Sequence, residues 1–393
     1  MSTTTTAELP PNSTPSVMIL DWKDVAASET SESLLADLEQ ALSPGGMGLV
    51  AIRNVPGLVE CKDSFLPMAH QLVSLDPEYL ETKLTDPDTL YNAGWSHGKE
   101  QLKENQPDLS KGSFYYNPLT DTPGTPADRQ AYPLSYPCNI WPDETLLPNF
   151  RERACRMGTI LTHATAELAK HIDSLAAQKV PNYPPQFLYQ SMKDTEKAKA
   201  RLLYYFPLDK KQNEDKTTID NKNTNIPDET IPEDSWIGWH NDSGFLTALS
   251  GDIYVDHATG RVVDCPDPEA GLYVVDRTNV ARRVELPSDC MAVQIGECTQ
   301  ILTGGAVVAT PHCVRGCRHR QYPGIARISL PCFVDTPPSF PLNLPPGATR
   351  EQVLQAGLQS KRVPPLAKRW KEGMTFGEFL AETFSLYYSW TKE

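Results

Sequence analysis

Hydrophobic positions change period along the chain. From Phe150 through Ala154, Met157, Leu161, Ala164, Leu168 and Ile172 they recur every three or four residues, the spacing of a helix with one buried stripe. From 236 to 335 they come as short Val, Ile and Leu runs broken by Gly and Pro, as in a Greek-key or jelly-roll sheet. Helical spacing returns at Phe376, Phe379, Leu380, Phe384 and Leu386, predicting a terminal helix that packs back on the core. Residues 16–200 mix a few strands with several helices. Two segments lack any apolar period: a polar, Pro-bearing stretch over 1–15, expected to be disordered, and a Lys/Asp/Asn/Thr-rich insertion over 209–235, expected to be mobile. The organisation predicted is a tail (1–15), an α/β region (16–200), a β-core (201–340) interrupted by the insertion, and a helical segment (341–393). Length alone does not choose between one large β-core and two domains.

Within the predicted β-core lies Trp239-His240-Asn241-Asp242, with His312 and His319 downstream and Arg327-Ile328-Ser329 after them. Two imidazoles and one carboxylate can hold iron(II) on one face of an octahedron and leave three positions open. On a strand, residues i and i+2 project to one face, so His240 and Asp242 can converge while Asn241 points away. A second His-x-Asp, His171-Ile172-Asp173, falls in the helical stretch. There i and i+2 diverge by roughly 200° around the axis, so the pair cannot share a metal and reads as surface residues. The Arg-x-Ser supplies a planar fork and a hydroxyl suited to a carboxylate. A zinc site from His312, Cys313, Cys317 and His319 is possible on residue types, but its spacing fits no common structural pattern.

These motifs resemble the isopenicillin N synthase-like branch of the iron(II)/2-oxoglutarate dioxygenases, and the resemblance spans most of the chain. Val17 to Asp21 looks like the family's first strand. Leu34 to Val55, through Gly45-Gly46-Met47-Gly48-Leu49-Val50, is similar to its opening helix and Gly-Phe-Phe strand. Asn139-Ile140-Trp141-Pro142 and Phe150-Arg151 match the approach to its long central helix. Leu202-Leu203-Tyr204-Tyr205-Phe206-Pro207 resembles its Asn-Tyr-Tyr-Pro strand, and Asp242 to Leu249 its Asp-x-x-x-Leu-Thr-x-Leu. Gly271-Leu272-Tyr273-Val274 resembles its Gly-Leu-Gln-Val. Gly296 to Gly305 lies without a gap over the family's Gly-Asp-x-Leu-Gln-x-x-Ser-Asn-Gly, which puts the distal metal His at His312 and leaves His319 in an extended turn. The chain departs at Leu203, where the family has Asn, at Cys313, where it has Arg, and in two long loops, 209–235 and 252–270.

The resemblance implies a double-stranded β-helix flanked by helices, with Fe(2+) on His240, Asp242 and His312. It implies 2-oxoglutarate on Arg327, Ser329 and Tyr205, and molecular oxygen as the third partner of the metal. The reaction implied is hydroxylation, desaturation or ring formation at a C–H bond, with release of succinate and carbon dioxide. Tyr91, Asn92, Trp95, Phe114, Tyr115 and Tyr116 sit where family members often place substrate-facing residues. Two other classes stay open. One is an oxidase of the same fold that uses no 2-oxo acid, since relatives of that kind place a substrate carboxylate on the same Arg-x-Ser. The other is a non-catalytic small-molecule binder.

Composition narrows the partners. A formal net charge of −14 disfavours a phosphate backbone as ligand. Nine cysteines, an odd number without framework spacing, fit reduced thiols in a cytoplasmic protein. The Thr-rich start has neither basic residues nor an apolar run, unlike a secretory signal, and no segment approaches the ~20 apolar residues of a membrane span. The expectation is a cytoplasmic monomer acting on a small molecule.

Overall fold

The computed structural model describes residues 17–99, 107–208, 236–317, 324–360 and 362–390. The 1–15 tail, the 209–235 insertion and His319 lie outside the described residues.

The apolar runs become strands: β1 (Ile19–Asp21), β2 (Leu49–Arg53), β3 (Gly94–His97), β4 (Lys111–Tyr116), β5 (Ala198–Tyr205), β6 (Ile237–His240), β7 (Leu246–Asp256), β8 (Val262–Val263), β9 (Gly271–Val275), β10 (Ala281–Arg283), β11 (Cys290–Ile295), β12 (His312–Arg315) and β13 (Ile325–Val334). Hydrogen bonding orders β1, β2, β11, β7, β13, β5, β4 and β3 into a large sheet, with β8 paired to β7; β10, β9, β12 and β6 form a smaller one. Both sheets line one cavity. They are the two layers of the expected double-stranded β-helix.

Buried helices support the large sheet. The predicted central helix is α2 (Phe150–Lys179); it packs against β7, β13 and α1 (Glu32–Leu42). Contact on several sides buries more of α2 than one stripe, and this corrects one expectation. His171 and Asp173 are not on the surface: they are 0% and 3% exposed. Asp173 accepts bonds from Tyr183 Oη (2.7 Å) and from the backbone N–H of Leu188 (2.9 Å) and Tyr189 (2.8 Å) at the start of α3 (Phe187–Met192). A carboxylate there satisfies otherwise orphaned helix N–H groups. His171 is held by Val25 O and Thr30 Oγ1.

The terminal helix, with Phe376 and Phe379 fully buried, docks on the core through an edge-to-face contact of Phe376 with Phe245 at 5.1 Å. The region from 252 is not loop throughout: β7 continues to Asp256 and turns into β8. This extension places Asp252 and Tyr254 in the sheet, where β13 pairs Ser329 with Asp252 and Arg327 with Tyr254.

Candidate metal centre and its cavity

The two histidines meet across strands. His240 ends β6, His312 opens β12, and the register pairs them directly, with ring centroids 4.1 Å apart. Asp242 does not continue the strand as the sequence spacing suggested. It lies in the turn just beyond β6, where its carbonyl accepts the Glu297 N–H at 2.8 Å. The turn still delivers the carboxylate. Asp242 Oδ1 is 3.9 Å from His240 Nε2 and 3.8 Å from His312 Nε2, and the three ligand atoms lie within 4.8 Å of one another.

The rings present the correct nitrogens. His240 Nδ1 is 2.8 Å from Gly238 O, and His312 Nδ1 is 3.2 Å from Thr310 O. A carbonyl only accepts, so each Nδ1 carries the proton and each Nε2 keeps its lone pair for a metal. Gln294 Nε2 lies 2.6 Å from His312 Nδ1; with Nδ1 protonated toward Thr310 O, the amide turned over places its oxygen there as the acceptor. Burial, and then the neighbouring His312, hold the His240 pKa below its usual value, with Asp242 opposing. A neutral imidazole is the ligand form. The donor set therefore suits a two-His, one-carboxylate metal site with open positions.

The turn carrying Asp242 is fixed from below. Asn241 Nδ2 donates to Glu297 Oε1 at 2.9 Å, and Glu297 is in turn gripped by Arg369, with both ends of the ion pair buried. Gly244 has no space for a side chain, because a Cβ there would lie 2.4 Å from Asp335 Oδ1, which accepts the Phe245 N–H. None of these supports was read from the sequence. Gln294 did leave a trace, as a polar residue inside the apolar strand Met291-Ala292-Val293-Gln294-Ile295.

The triad opens on a cavity of about 350 Å³ that Tyr205, Arg327 and Ser329 also line. Tyr205 and Arg327 are paired across β5 and β13, and the guanidinium lies over the phenol ring at 4.8 Å. Arg327 has a partner the sequence did not reveal: Asp252 takes its Nε at 2.9 Å and its Nη2 at 2.8 Å. Nη1 is buried without a hydrogen-bond partner among the described residues. Burial opposes the charge of Arg327, but Asp252, Tyr205 and Tyr254 outweigh it and raise the pKa further above neutrality.

The six aromatic and polar residues suggested for substrate lie elsewhere. Trp95, Phe114 and Tyr116 belong to the main hydrophobic core. Asn92, Tyr115 and Tyr116 border a separate small recess, and Lys99 sits over the Tyr91 ring. None of the six lines the cavity of the triad. Leu49, Ile237, Leu249, Leu272 and Arg201 do.

No protein-family model matches the chain, and no curated protein is similar to it in sequence. Solved structures are similar in shape. A full-length Neurospora crassa protein in complex with alpha-KG matches at TM-score 0.60 and 16% identity, covering 94% of this chain and 96% of that one. A 2OG-Fe(II) oxygenase family protein from Caulobacter crescentus matches at TM-score 0.61 and 15% identity, over 94% and 99%. JOX2 in complex with 2OG, Fe and JA matches at TM-score 0.57 and 17% identity, over 95% and 87%. The fold of this chain is that of the iron(II)/2-oxoglutarate oxygenases. Among the described residues, no helix is long and apolar enough to cross a membrane.

Proposed function

We propose that this chain is a non-haem iron(II)- and 2-oxoglutarate-dependent oxygenase of the isopenicillin N synthase-like branch, acting on a C–H bond of a small organic molecule. The observation that carries this reading is the coincidence, in one cavity, of His240, Asp242 and His312 with the Arg327–Ser329 pair. Iron(II), when bound, supplies oxygen activation and a Lewis-acidic anchor for a 2-oxo acid. The chain supplies the rest. His240, Asp242 and His312 would be the ligands, and Gln294 and Thr310 would orient His312. Arg327, Ser329 and Tyr205 would receive the far carboxylate, and the apolar walls would hold the substrate away from bulk water. The reaction expected is hydroxylation, desaturation or ring formation, with succinate and carbon dioxide as co-products, in a cytoplasmic monomer. Nine free thiols are consistent with a reducing compartment.

The test is an anaerobic titration with iron(II) and then 2-oxoglutarate. Expected are stoichiometric iron binding and a visible charge-transfer band on addition of the 2-oxo acid. Replacing His240, Asp242 or His312 with Ala should abolish both, since a facial triad has no spare ligand. Iron binding that survives all three substitutions would remove the reading.

One observation favours a second reading. Asp252 already occupies one edge of Arg327, which weakens that residue as a clamp for a dicarboxylate. An oxidase of this fold that needs no 2-oxo acid would consume oxygen with iron and its substrate alone.

A further inference from the structure

The pairing of β7 with β13 sets Ser329 opposite Asp252 and Arg327 opposite Tyr254. Side chains alternate along a strand, so positions 252, 254, 327 and 329 share one face, and all four line the cavity. Asp252 reaches diagonally to Arg327 and takes two of its five N–H groups. The side chains are 27% and 5% exposed respectively, so the carboxylate is at the open side and the guanidinium is inside. Among the described residues Nη1 is left buried and unpartnered, a costly state for a donor unless an acceptor arrives. A carboxylate is the acceptor that matches the remaining edge of the fork.

We propose that Asp252 is a specificity-determining residue for the co-substrate: a resident counter-ion that shares Arg327 with the far carboxylate of an incoming 2-oxo acid and lowers the site's preference for that second charge. This rests on the 2-oxo-acid reading above. A dicarboxylate entering the cavity meets a neutralised pair with one free end, not a bare cation. Its far carboxylate gains Nη1 and Ser329, yet lies across the guanidinium from a like charge. A 2-oxo acid without the second carboxylate is indifferent to Asp252. The residue therefore acts on the difference between the two ligands, and only weakly on chelation at the metal.

The experiment uses the full chain loaded anaerobically with iron(II), as wild type and Asp252→Asn. Each is titrated with 2-oxoglutarate and with 2-oxopentanoate, which has the same carbon skeleton and no far carboxylate. Affinity is read by the visible band and by calorimetry. Removing one like charge at this range in a partly buried site should tighten 2-oxoglutarate by about tenfold and move 2-oxopentanoate by less than about twofold. An unchanged ratio of the two affinities, or equal weakening of both with a lower melting temperature, would mean that the Asp252–Arg327 pair is only structural and would overturn the inference alone. Wild-type protein that binds iron but neither 2-oxo acid would instead overturn the reading beneath it. Should Asp252→Asn fail to fold, Asp252→Ser carries the same comparison, and the same shift in the affinity ratio decides it.

Discussion

Replacing Arg369 with Met should destabilise the fold by about 3–5 kcal/mol, the usual consequence of removing one member of a buried ion pair. The surroundings of Arg369 put the cost at that level. Arg369 is 0% and Glu297 1% exposed. The guanidinium donates to Glu297 Oε2 at 2.6 Å, to Glu297 Oε1 at 2.5 Å, to Pro364 O at 2.9 Å and to Thr383 Oγ1 at 3.2 Å. Methionine can occupy the space of the aliphatic stem, so little of the cost is cavity. What remains is a buried carboxylate whose partner is then the Asn241 amide. The double variant Arg369→Met/Glu297→Leu removes the charge as well and should recover to within about 1–2 kcal/mol of wild type, the remainder being the hydrogen bond that Asn241 loses. Urea unfolding of the iron-free chain at fixed pH gives both free energies, and the double-mutant cycle gives the coupling. Because Glu297 also donates its N–H to the Asp242 carbonyl, iron affinity should fall in the single variant and largely return in the double. A single variant costing under about 1 kcal/mol, or a double variant costing the sum of the two singles, would refute the reasoning.

Three other outcomes are expected. Gln294→Leu should weaken iron binding by about tenfold while leaving the fold intact, because His312 keeps Thr310 O but loses its closest orienting partner; competition with a metal indicator measures it. Gly244→Ala should lower stability by about 1–3 kcal/mol, since the added methyl meets the Asp335 carboxylate, and thermal unfolding reads this directly. Burial pushes the Asp173 carboxyl from 3.8 up to about 6. A raised carboxyl favours the folded state below its unfolded pKa, and that stability is lost as pH rises through the folded value. Asp173→Asn should therefore flatten the decline in stability between about pH 4 and 6; an unchanged slope in urea midpoints across that window would exclude Asp173 as its source.

The convergence of His240, Asp242 and His312 was legible because a short motif carries a chemical requirement, and the sheet because apolar runs and turns mark it. His312 was separable from His319 only by a resemblance that ran without a gap. Asp252 was not legible. Ser250-Gly251-Asp252 reads locally as a turn, yet it lies within a strand whose partner is 75 residues away in sequence at Arg327. Register, not local pattern, makes that contact. Burial of His171 and Asp173 was hidden for a similar reason: the chain returns over α2 at Tyr183–Tyr189, and no signal within the helix announces it. The aromatic cluster of Trp95, Phe114 and Tyr116 shows the converse. Its residue types suit a pocket, but Phe150 and Trp141 fill the space around Phe114 and Tyr116.

The three residues proposed as ligands are unequally anchored, and under that proposal this sets an order of assembly. His312 is buried on an interior strand between β6 and β9, and Asp242 is locked by the turn beneath it. His240 ends a strand that is at the edge of its sheet among the described residues, with its side chain 31% exposed. On the proposed function His312 and Asp242 would form a standing two-point cradle, and His240 would be the ligand that closes over it. The kinetics of metal exchange should belong to His240. Chelators should strip the ion by first competing at that imidazole, and solvent conditions that loosen β6 should quicken release without altering how fast the cradle captures iron.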